Sequence, residues 1–107
     1  MEHSLSGWDI ANATDVGWAP WGSRGDAKAK LIASADGYNV VLVAAEPGYC
    51  TDPHVHAFPE FVYVIDGTLH AQGHVLGPGD AYAAAAGSVH TELRTDVGAT
   101  YLSIFKL

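Results

Sequence analysis

Gly48-Tyr49-Cys50-Thr51-Asp52-Pro53-His54-Val55-His56-Ala57-Phe58-Pro59-Glu60, running on into Phe61-Val62-Tyr63-Val64-Ile65-Asp66-Gly67, is the stretch that decides how this chain of 107 residues is read. Its second half is dense in aromatic and β-branched residues and stops at Asp66-Gly67, the composition of a strand and its turn. In its first half His54 and His56 stand two apart, so in an extended backbone both imidazoles leave the same face. They can chelate one ion. Pro59 has no amide hydrogen to give a ladder, so a bend is expected there. If the chain doubles back at that bend, Glu60 opens the neighbouring strand with its carboxylate toward the same interior.

Outward from this stretch the texture is the same. Lys30–Ser34 and Tyr38–Ala45 read as strands joined at Asp36-Gly37, a pair suited to the positive backbone angles of a tight hairpin. Thr68–Gln72 and His74–Leu76 lead to the turn Gly77-Pro78-Gly79-Asp80. Val89–Thr95 and Ala99–Phe105 follow, joined near Asp96-Val97-Gly98. Tyr82–Ala86 contains four consecutive alanines, which favour helix, but the segment between Asp80 and Gly87 is too short for an independent helix and is read as a strand. Short strands at this spacing predict an all-β sandwich or barrel in one domain over residues 1–107. Residues 30–107 are expected to form the barrel. Residues 1–29 hold Trp8, Trp18 and Trp21 without a clear period and read as an irregular arm, whose rings are expected to plug the core or cover a partner subunit.

Twelve acidic against five basic residues give a net charge of −7, a field that repels phosphate backbones and anionic lipid and so argues against nucleic-acid and membrane partners. No segment has the length and apolarity of a membrane span, and the start has no basic, apolar leader, so a cytoplasmic protein is expected. Cys50 is the single cysteine; it closes no internal disulfide and is expected as a small buried thiol.

A further histidine, His90, follows the turn Gly87-Ser88-Val89 at the start of a later strand. Gly48, five residues, His54, one residue, His56, three residues, Glu60, six residues and Gly67 resembles the first motif of the cupin superfamily at every position. Pro78-Gly79-Asp80 and Gly87-Ser88-Val89-His90 resemble the second, with Ala85 where a proline is usual. The resemblance covers about Lys30 to Leu107. It implies a double-stranded β-helix, or jelly-roll barrel, binding one divalent metal through His54, His56, Glu60 and His90. Nitrogen and oxygen donors of this kind suit first-row ions: iron(II) heads the list, with manganese, nickel, zinc and cobalt as alternatives.

Four protein donors around an ion that often takes six leave places for substrate or dioxygen. The expected function is therefore a metal-dependent enzyme acting on a small oxygenated compound, with a dioxygenase as the first reading. A non-oxidative isomerase, ring-opening enzyme or cyclase is the second, and a ligand-binding or regulatory module without turnover is the third. Glu60 moderates the charge of the ion as the catalytic carboxylate, and Phe58 is expected to line the mouth of the site. Glu92 and Arg94 share the parity of His90 and could point inward, Glu92 as a candidate substrate contact. His3, His70 and His74 are read as surface or rim residues. Trp18-Ala19-Pro20-Trp21 ahead of a strand resembles small cupins related to acetylacetone-cleaving dioxygenases and to anti-sigma factors. Cupin relatives commonly pair, so a homodimer is expected.

Overall fold

The computed structural model describes residues 6–106; His3 lies outside them. Eleven strands and one short 3-10 turn at Ala13–Asp15 make up the regular structure of these residues. The strands are β1 (Ala19–Trp21), β2 (Ala27–Ala35), β3 (Tyr38–Ala45), β4 (His54–Val55), β5 (Glu60–Gly67), β6 (Leu69–Ala71), β7 (His74–Leu76), β8 (Ala81–Ala84), β9 (Val89–His90), β10 (Leu93–Arg94) and β11 (Ala99–Lys106). All pairings are antiparallel: a six-stranded sheet in the order β1-β2-β3-β11-β5-β8, a three-stranded sheet β10-β6-β7 and the two-stranded pair β4-β9. The chain is all-β, and none of its described helices is long or apolar enough to cross a membrane.

Alternation along the long strands builds the core. Val43, Tyr101 and Val64 stand side by side across β3, β11 and β5, and Val41, Ser103 and Val62 form the next row. All six side chains are buried. Leu69 and Leu93 close the core from the smaller sheet. The opposite parity of β5 puts Phe61, Tyr63 and Ile65 on the outer face, where they stay about half exposed.

Turn chemistry sets the registers. Asp36 and Gly37 both take positive φ, 53° and 85°, as the hairpin reading requires. Gln72 and Gly73 do the same, at 50° and 81°, and link β6 to β7 through a turn of the same kind. Gly67 is required for another reason. A Cβ there would run into the carbonyl oxygen of Gly98, where the ends of β5 and β11 meet.

Three expectations are corrected. The arm is not irregular throughout: Ala19–Trp21 pair with Ala27–Ala29, so the sheet begins well before Lys30. Of the three tryptophans only Trp21 packs against the core, tilted on Phe105 with ring centroids 6.0 Å apart. Trp18 lies under the ammonium groups of Lys28 and Lys30 at 4.7 and 4.8 Å, and Trp8 is exposed. Cys50 is exposed rather than buried, because Tyr49 takes the inward position beside it.

Candidate metal centre

The expected strand Val89–Thr95 is two pieces, β9 and β10, interrupted at Thr91 and Glu92. The interruption has a named cause. The Gln72 side-chain oxygen accepts from the backbone nitrogens of Thr91 and Glu92 and from the Thr91 hydroxyl, so those amides are satisfied without a strand partner. β9 is thereby free to turn onto β4, where His54 lies directly opposite His90. The chain around His56 fixes the same junction: its amide donates to Ser88 and its carbonyl accepts from Gly87. Ala85 replaces the usual proline of this turn, and its carbonyl accepts from both the amide and the hydroxyl of Ser88. Side-chain hydrogen bonding does here what ring rigidity does elsewhere.

His54, His56 and His90 converge. One ligand atom from each lies within 4.8 Å of the other two. His54 Nδ1 donates to the carbonyl of Asp52 at 3.0 Å, which leaves its Nε2 as an acceptor, the tautomer a metal ligand needs. His56 Nε2 and His90 Nδ1 face each other at 3.0 Å. Two nitrogens bound at right angles to one ion at about 2.1 Å would be about 3.0 Å apart, so the residues present fit a divalent ion. His90 is buried, and that burial pushes its imidazole below the ordinary histidine range against the pull of the Glu60 carboxylate, with His56 and His54 adding to the effect. A neutral imidazole is the form that ligates.

Glu60 opens β5 after the bend at Pro59, as expected. Its Oε1 is 3.4 Å from His56 Nε2 and 3.7 Å from His90 Nδ1. It sits outside the tight group of three, held from behind: Tyr82 donates to Oε1 at 3.3 Å and Ser103 to Oε2 at 3.1 Å. This explains a hydroxyl in the core row of β11. Burial, and then the Glu60 carboxylate, push the Tyr82 hydroxyl well above the ordinary tyrosine range, so it remains a donor.

Two cavities adjoin the histidines. One, of about 300 Å³, contains His54, His56, Glu60, Phe58, Trp21 and Phe105 in its wall, and Phe58 is partly exposed at its rim under the Lys106 ammonium, 5.0 Å away. The other, of about 470 Å³, reaches from His56 and His90 between β8 and the β6–β7 hairpin. Glu92 lines neither. Its carboxylate accepts from the Gly73 amide at 2.7 Å and from Arg94 Nε at 3.1 Å; the break in the strand cancels the parity argument that put it with His90. His70 faces Asp96 at 3.5 Å. Tyr82, Ser103 and Gln72 are the functional residues that sequence reasoning missed; only the inward parity of the first two could have signalled them.

Residues 8–106 match the model of the ChrR cupin-like domain. The chain belongs to that cupin family. No curated protein matches it. Among solved structures, the cupin is similar to an acetylacetone dioxygenase from Acinetobacter johnsonii (15% identity, TM-score 0.74, covering 83% of this chain and 67% of that one). It is also similar to the polyketide cyclase RemF from Streptomyces resistomycificus (20%, 0.77, 92% and 79%) and to KdgF from Halomonas sp. (20%, 0.75, 92% and 93%). At these identities the likeness establishes a shared cupin barrel, on which different reactions are built.

Proposed function

We propose that this cupin is a metal-dependent dioxygenase acting on a small, enolisable oxygen compound, with His54, His56 and His90 as ligands and Glu60 as the fourth donor. The observation that carries the reading is the convergence on one point of two imidazoles from the β4–β9 pair and a third, His56, from the residue just after β4, backed by a doubly hydrogen-bonded carboxylate. An iron(II) ion held there would supply Lewis acidity toward an enolate and electrons toward dioxygen. The chain does the rest. Glu60 offsets the charge at the centre, while Ser103 and Tyr82 hold its two oxygens in place. Phe58, Trp21 and Phe105 make a wall that limits water at the mouth. The apolar outer strip of Phe61, Tyr63 and Ile65 supports pairing of two copies.

The test combines metal content with oxygen uptake. After anaerobic loading with iron(II), about one ion per chain is expected in the wild type, with uptake of one dioxygen per pentane-2,4-dione consumed; His56→Ala should lose both. Retained metal without oxygen uptake would transfer the reading to non-oxidative chemistry, which the likeness to a polyketide cyclase favours as the second choice. Failure of the wild type to hold metal would remove the metalloenzyme reading altogether.

A further inference from the structure

The β6–β7 hairpin carries a histidine, His74, that is exposed, as its rim reading expects, and that also borders a cavity. His74 is the cross-strand partner of Ala71, and directly opposed residues of an antiparallel pair share a face. Ala71 is buried, and Leu69 opposite Leu76 belongs to that same face. His74 therefore lies on the same face as Ala71 but at the open end of the hairpin, where it stays exposed, and it lines the cavity of about 470 Å³ that His56 and His90 also line. The turn at Gln72-Gly73 fixes this orientation, because the Glu92 carboxylate holds the Gly73 amide immediately before His74.

The other polar side chains of that cavity are committed. Gln72 accepts three hydrogen bonds and donates to Val89, and Ser88 donates to Ala85. Tyr82 donates to Glu60. Among the described residues, the His74 ring has no hydrogen-bond partner. The remaining wall is small and apolar, mainly Leu76, Val89 and the alanines of β8. Ala84 lies opposite Glu60 and so faces inward, leaving space where a larger side chain would fill it. Neither lysine nor arginine lines the cavity, and a carboxylate sits on the residue beside His74.

We infer that this cavity is the substrate chamber and that His74 is a substrate-binding residue at its far side, taking a neutral oxygen of the ligand while the other end of the ligand lies at His56 and His90. The inference rests on the metal-centre reading above. The substrate class is an uncharged, compact molecule with chelating oxygens at one end, an apolar middle and a carbonyl or hydroxyl oxygen at the other. A ligand with a carboxylate at that end would lack a cation to meet it.

Two probes of equal chain length test this, heptane-2,4-dione and heptane-2,4,6-trione, the second adding one distal carbonyl. Their affinities are measured by calorimetry on protein loaded with one equivalent of zinc, which binds without oxidative turnover. The trione-to-dione affinity ratio is expected to fall about fivefold in His74→Ala, the size of one net hydrogen bond, and to be kept within about twofold in His74→Gln, which retains a donor. In the wild type the His74 ring resonances should move with the trione and not with the dione, a readout independent of any variant. Ala84→Leu should weaken both probes. An unchanged ratio in His74→Ala, with both probes still bound, overturns the role of His74 and leaves the metal centre standing. Zinc retained with neither probe bound overturns the chamber, and loss of zinc itself overturns the metal-centre reading along with it.

Discussion

The six-stranded sheet and the pair β4-β9 solve opposite problems. Strands β3, β5 and β11 are each eight residues long and pair along their length, with valines and a tyrosine buried in register. Strands β4 and β9 are two residues each, with Val55 and Val89 exposed, yet they carry His54 and His90. The long sheet has the burial that makes a fold; the short pair has almost none and depends on its neighbours for position. Glu60 belongs to the long sheet, so the carboxylate rests on the rigid part of the molecule and the imidazoles on the part set by turns.

If that division is right, Leu69→Ala should act on the fold alone. Leu69 is fully buried where the two larger sheets meet, and the truncation should cost about 3 kcal/mol of stability, read from urea unfolding. Metal affinity measured well below the transition should stay near the wild-type value. A collapse of metal affinity in folded Leu69→Ala would mean that the two regions are not separable.

Ser103→Ala sharpens the comparison from the other side, since Ser103 belongs to the core row but serves Glu60. Residues behind a ligand typically matter 10–100-fold, and the expected loss in metal affinity is about tenfold, with little change in stability. The reverse pattern, lost stability with unchanged affinity, would make Ser103 a core residue only.

The smallest effect is on pH. His90 is held neutral by burial, so its folded pKa lies below the ordinary value of about 6.5. The unfolded chain then takes up the proton first, and metal-free protein should lose stability as pH falls below about 6.5, with no contribution from His90 above it. His90→Gln should flatten this part of the profile. A wild-type profile that is flat from pH 7.5 to 5 would show that the burial of His90 does not govern its protonation.

Much of this was legible from local chemistry. Tyr38–Ala45 was read to the residue because alternation and the Asp36-Gly37 turn are contained in the segment itself. The spacing of His54, His56 and Glu60 around a proline bend needed no distant partner. The break at Thr91 and Glu92 was not legible, because it is made by the amide of Gln72, nineteen and twenty residues away. The place of His74 at the exposed edge of the cavity depends on a positive φ at Gln72, a residue that rarely advertises such a turn. Ala19–Trp21 becomes a strand only through its pairing with β2, and three residues carry too little pattern to announce it.

His56 and His90 face each other across a separation of 34 residues, and the chain has a single cysteine and hence no internal disulfide. An ion shared by the two would act as the missing cross-link, closing a long loop that includes β5 to β8 and the far wall of the chamber. Occupancy would then be a form of fold insurance as well as chemistry, and cellular metal supply would set the lifetime of the protein as well as its rate of turnover.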